Sequence, residues 1–403
     1  MDFRKYNNIV YEKRTHCMIC GLKQDAPVIV LPQFPLTELY VREKCLQKSG
    51  FLDQALHFCS RCHHGQIANV IDIGLQYGDS SMYNFRTSQS ITGRITTDFF
   101  INFFNHVVGN KDLRTIVEIG CNDLFLLKGI KTRAKKLVGI DPILKGREQE
   151  LSEDNIIAIG DFLENVSLPE EMDVVICKDV LEHVADPFEF LKKIVDRSDN
   201  GTLFFVQVPL LETILQECRF DQVFHQHLNY FSFKSFFYML EKLNCSFVDV
   251  AINYDHWSTG LFAFRKGGEH QQTQGNFKEL TVADVQASFR SFKNDLKQTN
   301  ERLAYFSNEK VYGYGAGLML AVLSYYMEND FSCFSAILDD DKDKDGMSYL
   351  NLPVNIQHID KIKDLKDSVV MLTAVASKIN VRKMLSKLMQ VGPRHIIYPL
   401  KTF

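Results

Sequence analysis

Arg114–Asp123 reads RTIVEIGCND, a short apolar run that ends in an acid, a glycine and polar residues. Four later runs have related endings. KLVGIDP (136–142) closes on Asp141, and NIIAIGDF (155–162) on Asp161 and Phe162. MDVVICKDVLEHV (172–184) runs into Asp179, Glu182 and His183, and LFFVQVP (203–209) follows. Between the first two, FLLKGIKTRAKK (125–136) reads as a helix. Strands that are apolar throughout and alternate with helices predict a doubly wound parallel sheet of the α/β class. In such sheets ligands bind beyond the carboxyl ends of the strands. Glu118, Asp123, Asp141 and Asp161 all fall near those ends.

Asp141 comes about 20 residues after the glycine turn, where a carboxylate can accept both ribose hydroxyls of an adenosine. Asp161 and Phe162 suit an adenine, with an acceptor for the amine and an apolar face for the ring. Gly120 allows the backbone to approach a ligand closely. With one glycine and two acids, EIGCND is a poor cradle for a pyrophosphate but suits a cationic ammonium or sulfonium group. The expected cofactor is therefore S-adenosylmethionine (SAM), held by Glu118, Gly120, Asn122, Asp141, Asp161, Phe162 and Lys178.

Ten cysteines in 403 residues are too sparse for a disulfide scaffold. Four of them form two C-x-x-C pairs, Cys17 with Cys20 and Cys59 with Cys62. This spacing lets both sulfurs of a turn face one ion, and two such turns supply four thiolates to a tetrahedral Zn²⁺. A closed four-thiolate site leaves no open coordination position, so its zinc is expected to be structural. His16, His63 and His64 read as neighbours of the ligands. LPQFPLTELY (31–40) and FLDQALHFC (51–59) read as strand and turn material between the pairs.

Lys+Arg 46 against Asp+Glu 50 leaves a net charge of −4, which argues against binding nucleic acid by phosphate neutralisation. No run approaches the roughly 18 apolar residues of a membrane span. The opening MDFRKYNNIVYEKR has no apolar centre, so a cytoplasmic location is expected.

In the last third, TVADVQASFRSFKNDLKQTNERLAYF (281–306) has Val282, Val285, Phe289, Phe292, Leu296, Leu303 and Phe306 at helical spacing. VYGYGAGLMLAVLSYY (311–326) then reads strand, glycine turn, helix, and Asp339 ends the next strand. That imitates the start of a dinucleotide fold, although a lone GYGAG is a weak signal.

The motif order resembles the nucleotide-sugar C-methyltransferase family. The pieces that carry the resemblance are the paired C-x-x-C motifs, MYNFRTSQS (82–90), VEIGCND (117–123), KDVLEHVADP (178–187), FDQVFHQHLNYFS (220–232), INYDHWSTGLFAF (252–264) and VYGYGAG (311–317). The resemblance implies a zinc-binding module over 1–75, a class I SAM-dependent methyltransferase domain over 76–275 and a Rossmann-like, substrate-supporting domain over 276–403. It implies a nucleotide-linked 4-keto-deoxy sugar as the small-molecule substrate, methylated on carbon through an enolate. His227 takes the catalytic histidine position, with His225 and Gln226 orienting the substrate. His256 is an expected substrate contact, and Gly315 and Gly317 allow the sugar nucleotide to approach.

The sequence departs from the family pattern where the chemistry would occur. Gln226 replaces a glutamate, and Phe85 stands at the second tyrosine position of a Tyr-x-Tyr segment, leaving Tyr83 as the candidate tyrosine. Leu124 replaces a glycine, and Trp257 and Ser258 replace two more. O-methylation of a sugar hydroxyl therefore remains open, as do a dinucleotide-dependent oxidoreductase built on GYGAG and a non-catalytic binder of sugar nucleotides. The oligomeric state is not legible.

Overall fold

The computed structural model describes residues 9–42, 49–71, 86–268, 279–362, 364–375 and 377–400. At its centre is a seven-stranded sheet. Its strands are β1 (Leu113–Ile119), β2 (Ala134–Ile140), β3 (Ile156–Ile159), β4 (Val174–Lys178), β5 (Leu203–Pro209), β6 (Cys245–Asn253) and β7 (Thr259–Lys266). Their order across the sheet is β6-β7-β5-β4-β1-β2-β3. β1 to β5 run parallel, and β7 is antiparallel to both its neighbours. This is the doubly wound α/β sheet expected from the strand pattern.

Both faces of the sheet are covered, which is why its strands carry no polar alternation. Val174 and Ile176 face one core with Phe205 and Leu137, while Val175 and Cys177 face the other with Phe204 and Val138. Helix α1 (Ile91–Val108), capped by Ser90, lays Phe100, Phe103 and Phe104 around Phe205. The helix expected over 125–136 is only Phe125–Gly129. A Cβ at Gly129 would meet Ile101 at 2.6 Å, so the segment turns close against α1, and β2 begins already at Ala134.

The cysteine-bearing segment forms an antiparallel sheet of Ile29–Pro35, Phe51–Phe58 and Gly65–Ile67. Its fourth strand, Asn229–Tyr230, comes from the end of the HQHLNY segment. The C-terminal part holds a parallel sheet of β8 (Lys310–Tyr314), β9 (Phe334–Asp339), β10 (Ile356–His358), β11 (Ser368–Leu372) and β12 (His395–Ile397), ordered β10-β9-β8-β11-β12. Helix α2 (Val282–Tyr305), closed at its start by a Thr281–Asp284 capping box, buries Val285, Phe292, Leu296 and Leu303. Val282, expected on that face, is exposed in the first turn.

These parts share a core. Phe34 and Leu56 of the first segment, Phe220 and Tyr230 of the middle one, and Phe292 and Leu320 of the last belong to one buried cluster. Tyr40–Val41 pairs with Ser348–Tyr349, joining first segment to last. Among the described residues, no helix is long and apolar enough to cross a membrane.

Arg219, 2% exposed, crosses the same seam. Its Nε and Nη2 donate to the two carboxylate oxygens of Asp221 at 2.8 and 2.7 Å, and Nη2 donates also to the Val375 carbonyl at 2.7 Å. Removing one partner of such a pair strands the other charge in the core, at about 3–5 kcal/mol. Asp221→Asn is expected to lower the unfolding free energy, measured by denaturant titration, by that amount; an unfolding free energy equal to the parent's would show the pair to be dispensable.

Candidate active site

A cavity of about 1370 Å³ opens beyond the carboxyl ends of β1, β2 and β4. It exceeds the roughly 300–1,000 Å³ of a single small-ligand pocket, so it has room for a cofactor and an acceptor together. Glu118, Gly120, Asn122, Asp141, Asp161, Phe162 and Lys178 line it, as do Gln226, His227, His256 and Gly317. His225 and Gly315 do not, and Tyr83 and Phe85 lie outside the described residues.

At the cofactor end the loop after β1 is strained. Gly120 has φ +74°, and a Cβ there would meet Val180 at 2.4 Å. Asn122 (φ +49°) and Leu124 (φ +64°) are also left-handed. Leu124 therefore occupies a backbone conformation that glycine adopts without cost, and it is held there by full burial. Asp141 accepts from the backbone N–H of Asn122 at 2.8 Å and of Ile143 at 3.0 Å, which fixes its carboxylate at the cavity edge. Burial raises its carboxyl, and these two N–H groups partly offset that. Asp161 accepts from the Phe162 N–H and the Asn165 amide, and Phe162 keeps 41% of its surface open.

Glu118 is nearly fully buried, and its Oε2 has no hydrogen-bond partner. Burial first, with Asp141 and Asp123 adding to it, pushes its carboxyl up to about 8 despite Lys178. A buried carboxylate lacking a partner, beside an open cavity, fits a cationic ligand group such as the ammonium of SAM. The other loop polar groups face the preceding segment. Asn122 Oδ1 accepts from the Thr87 N–H, and Asp123 Oδ2 accepts from the Ser88 N–H and hydroxyl.

At the far end stand His227, His183 and Glu182. His227 packs against Phe224 (4.3 Å between ring centroids), His183 (5.0 Å) and Trp257 (5.4 Å), and its Nδ1 has no partner. Burial, and then neighbouring His183, keep the ring well below the usual histidine range, so it is neutral. Burial, then Asp179, pushes Glu182 well above the carboxylate range. Asp179 itself is pushed up by burial, but Lys178 at 2.8 Å, then His256 and Gln207, hold it below that range. His256 is lowered to about 4 by burial and bridges to Ser377 of the C-terminal part. Trp257 and Ser258 have φ of +50° and +49°, so the positions where the resemblance implies glycine are indeed left-handed.

Two sequence expectations are corrected. His225 points away from the cavity into the cysteine module, where it bonds Gln54 Nε2 at 3.3 Å and the Phe34 carbonyl at 3.1 Å; it is a core histidine. Gly315 (φ +103°) allows close approach not of a ligand but of Ala374, 2.3 Å from where its Cβ would be. The dinucleotide alternative also meets an obstacle at this turn. Asp339 accepts from the backbone N–H groups of Ala316 and Asp341, Tyr40 Oη and Lys344 Nζ donate to the Ala316 carbonyl, and Tyr349 Oη donates to that of Leu318. The chain's own side chains fill the turn.

Sequence reading missed Glu38. It comes from the first segment, lines the cavity and hydrogen-bonds Gln226, and burial raises its carboxyl. It also missed Arg14, whose Nη1 donates to the Leu228 carbonyl at 2.8 Å and whose Nη2 donates to that of Ala185. Neither sits in a motif. Cys17, Cys20, Cys59 and Cys62 come together with all sulfurs within 4.8 Å of one another, and the pairs 17/62 and 20/59 lie at 3.5 and 3.4 Å. Two sulfurs on one tetrahedral zinc stand about 3.8 Å apart, so this donor set fits such an ion.

Residues 96–250 match the model of a methyltransferase domain. C-methyltransferase NovU of Streptomyces niveus is 26% identical over 264 residues, 63% of this chain and 62% of that protein. Ubiquinone biosynthesis O-methyltransferase of Nitrosomonas europaea is 24% identical over 114 residues, 26% of this chain and 48% of that protein. The chain thus spans less than two thirds of either relative. N-methyltransferase NodS of Bradyrhizobium japonicum, solved with S-adenosyl-L-homocysteine, superposes with a TM-score of 0.35 at 14% identity, covering 42% of this chain and 86% of that one. Residues 96–250 form a methyltransferase domain.

The Glu118 carboxyl titrates near 4.5 when solvated and near 8 in the fold. The folded chain therefore holds the proton more tightly, and ionisation costs stability above about pH 4.5, increasingly so until about pH 8. Glu118→Gln removes that cost. Without cofactor, the melting-temperature advantage of the variant is expected to grow from about pH 5 to pH 8 and then level off. A margin that does not change with pH would show that Glu118 is not buried as an orphan.

Proposed function

We propose that the protein transfers the methyl group of SAM to carbon of a nucleotide-linked 4-keto-deoxy sugar. The observation that carries this reading is the His227 Nδ1: a neutral, buried imidazole lone pair with no partner, on the cavity wall opposite the cofactor end. C-methylation beside a ketone requires a base for the C–H proton, after which the enolate attacks the sulfonium methyl. His227 is that base. Gln226, held by Glu38, and His256 contact the sugar, and Gly317 with Ala374 and Val375 closes the cavity from the C-terminal side. The cofactor lies along Glu118, Gly120, Asn122, Asp141, Asp161, Phe162 and Lys178. The similarity to a C-methyltransferase over 63% of the chain supports transfer to carbon.

In this reading residues 1–75 are a module closed by structural Zn²⁺ on the four cysteines. Residues 76–275 carry the chemistry, and 276–403 support the acceptor. The C-terminal sheet acts as a wall, since its glycine turn is filled from within.

The test supplies SAM carrying a ¹³C methyl, with nucleotide 4-keto-6-deoxy sugars and their reduced counterparts, and records carbon NMR. A C-methyl resonance from the keto sugars alone is expected. His227→Asn should lower the rate by about 10²-fold or more while leaving SAM affinity unchanged. A methoxy resonance from the reduced sugars would move the reaction to oxygen, and an unchanged rate in the variant would remove His227 as the base.

A further inference from the structure

The mechanism uses one atom of a cluster that is built for more. Glu182 and His183 sit on the 3₁₀ turn Leu181–His183 after β4, and His227 sits on the segment before Asn229. Each offers a ligand atom, and these atoms all lie within 4.8 Å of one another. Glu182 and His227 are 2% and 7% exposed, and Glu182 Oε2 and His227 Nδ1 both lack a hydrogen-bond partner. Two buried polar atoms left without partners in one cluster is an arrangement that proteins otherwise avoid. The histidines are oriented as metal-binding histidines are, each ring giving one N–H to a backbone carbonyl. His183 Nδ1 donates to Gln226 at 2.8 Å, which places its lone pair on Nε2, and the second nitrogen of His227 is engaged by the Gln222 carbonyl. Leu228 N–H donates to the Glu182 carbonyl at 2.7 Å, tying the two segments together.

We infer that Glu182, His183 and His227 form a binding site for a divalent transition-metal ion. Two imidazoles and one carboxylate suit zinc, iron, cobalt or manganese better than magnesium or calcium, which prefer oxygen alone. All three residues line the cavity, from which water or an oxygen of the acceptor would complete the coordination. This site is separate from the four-cysteine cluster in place and in ligand chemistry. Its effect on the reaction rests on the reading proposed above. An ion on Nδ1 takes the lone pair that the base needs, so the ion-loaded protein binds SAM but does not transfer its methyl group.

The experiment titrates Co²⁺ into the full chain, with any ion already on the cysteines left in place. Thiolate ligation gives charge-transfer bands in the near ultraviolet, whereas a nitrogen–oxygen site shows d–d bands alone, so one spectrum separates the two. One d–d-active ion per chain is expected, with affinity reduced at least about 10-fold in Glu182→Gln and in His183→Asn. The two variants keep SAM binding as the check that they have folded. Absence of that ion, or equal affinity in folded variants, overturns the site. Loss of methyl transfer on Co²⁺ addition, restored by a chelator, supports the inhibitory role. If Co²⁺ binds as expected but raises the transfer rate, the site stands while the inhibitory role and His227 as a bare base both fall.

Discussion

One guanidinium ties the cysteine module to the reacting end of the cavity. Arg14 lies three residues before Cys17, is 6% exposed, and donates to backbone carbonyls on both segments that carry the candidate chemistry. Its Nη1 reaches the Leu228 carbonyl and Asn229 Oδ1, and its Nη2 reaches those of Val184 and Ala185. Asn229 completes the knot by donating to the Leu181 and Val184 carbonyls. Glu182, His183 and His227 are therefore spaced by hydrogen bonds to a residue of another module. Carbonyls buried this far from water must be paired, and a planar fork with five donors can satisfy several at once. The ring of His227 can hold a defined position on an irregular segment because that segment is clamped from outside.

The unsatisfied atoms tell where the clamp is aimed. Most buried polar atoms in a folded chain find partners. Several of the exceptions here, Glu118 Oε2, Glu182 Oε2, His227 Nδ1, His256 Nδ1 and Thr259 Oγ1, belong to residues that line one cavity. The cavity also gathers more carboxylates than lysines: Lys145, Lys178 and Lys193 stand against Glu12, Glu38, Glu118, Asp141, Asp161, Asp179 and others. Such a wall favours a cation at the cofactor end. At the cofactor end this agrees with a ligand carrying ammonium and sulfonium groups. At the acceptor end the unpartnered His227 and Glu182 belong to one cluster, and a proton or a metal ion can satisfy them.

The strand ends were legible because each depends on its own neighbours in sequence. An apolar run followed by Asp141 or by Glu118-Ile119-Gly120 states where the strand stops and which residue faces the crevice. The left-handed positions at Leu124, Trp257 and Ser258 were legible too, as places where glycine was expected and is missing. His225 was misread because spacing says nothing about direction on an irregular segment. His225 and His227 lie two apart, but one turns into the Phe34 side of the cysteine module and the other into the cavity. Glu38 and Arg14 could not be found, since their partners lie about 170 to 215 residues away and no local pattern encodes such a contact.

The glycine turn of the C-terminal part shows how one motif can serve two ends. Gly315 and Gly317 let the turn approach another chain segment, and in a dinucleotide fold that segment would be a pyrophosphate. Here the neighbour is Ala374 at the end of β11, while Tyr40, Lys344 and Tyr349 occupy the carbonyls of the turn. Tyr40 belongs to the first segment, and the strand it starts pairs with Ser348–Tyr349. The same contacts that fill the would-be nucleotide cleft dock the cysteine module onto the C-terminal sheet. They also set Glu38, two residues before Tyr40, beside Gln226, and its N–H donates to Tyr349 Oη. Filling the turn thus brings a carboxylate from the first module into a cavity formed by the other two. The acceptor end then depends on all three parts being docked, whereas the cofactor end is built from the central sheet and its own loops.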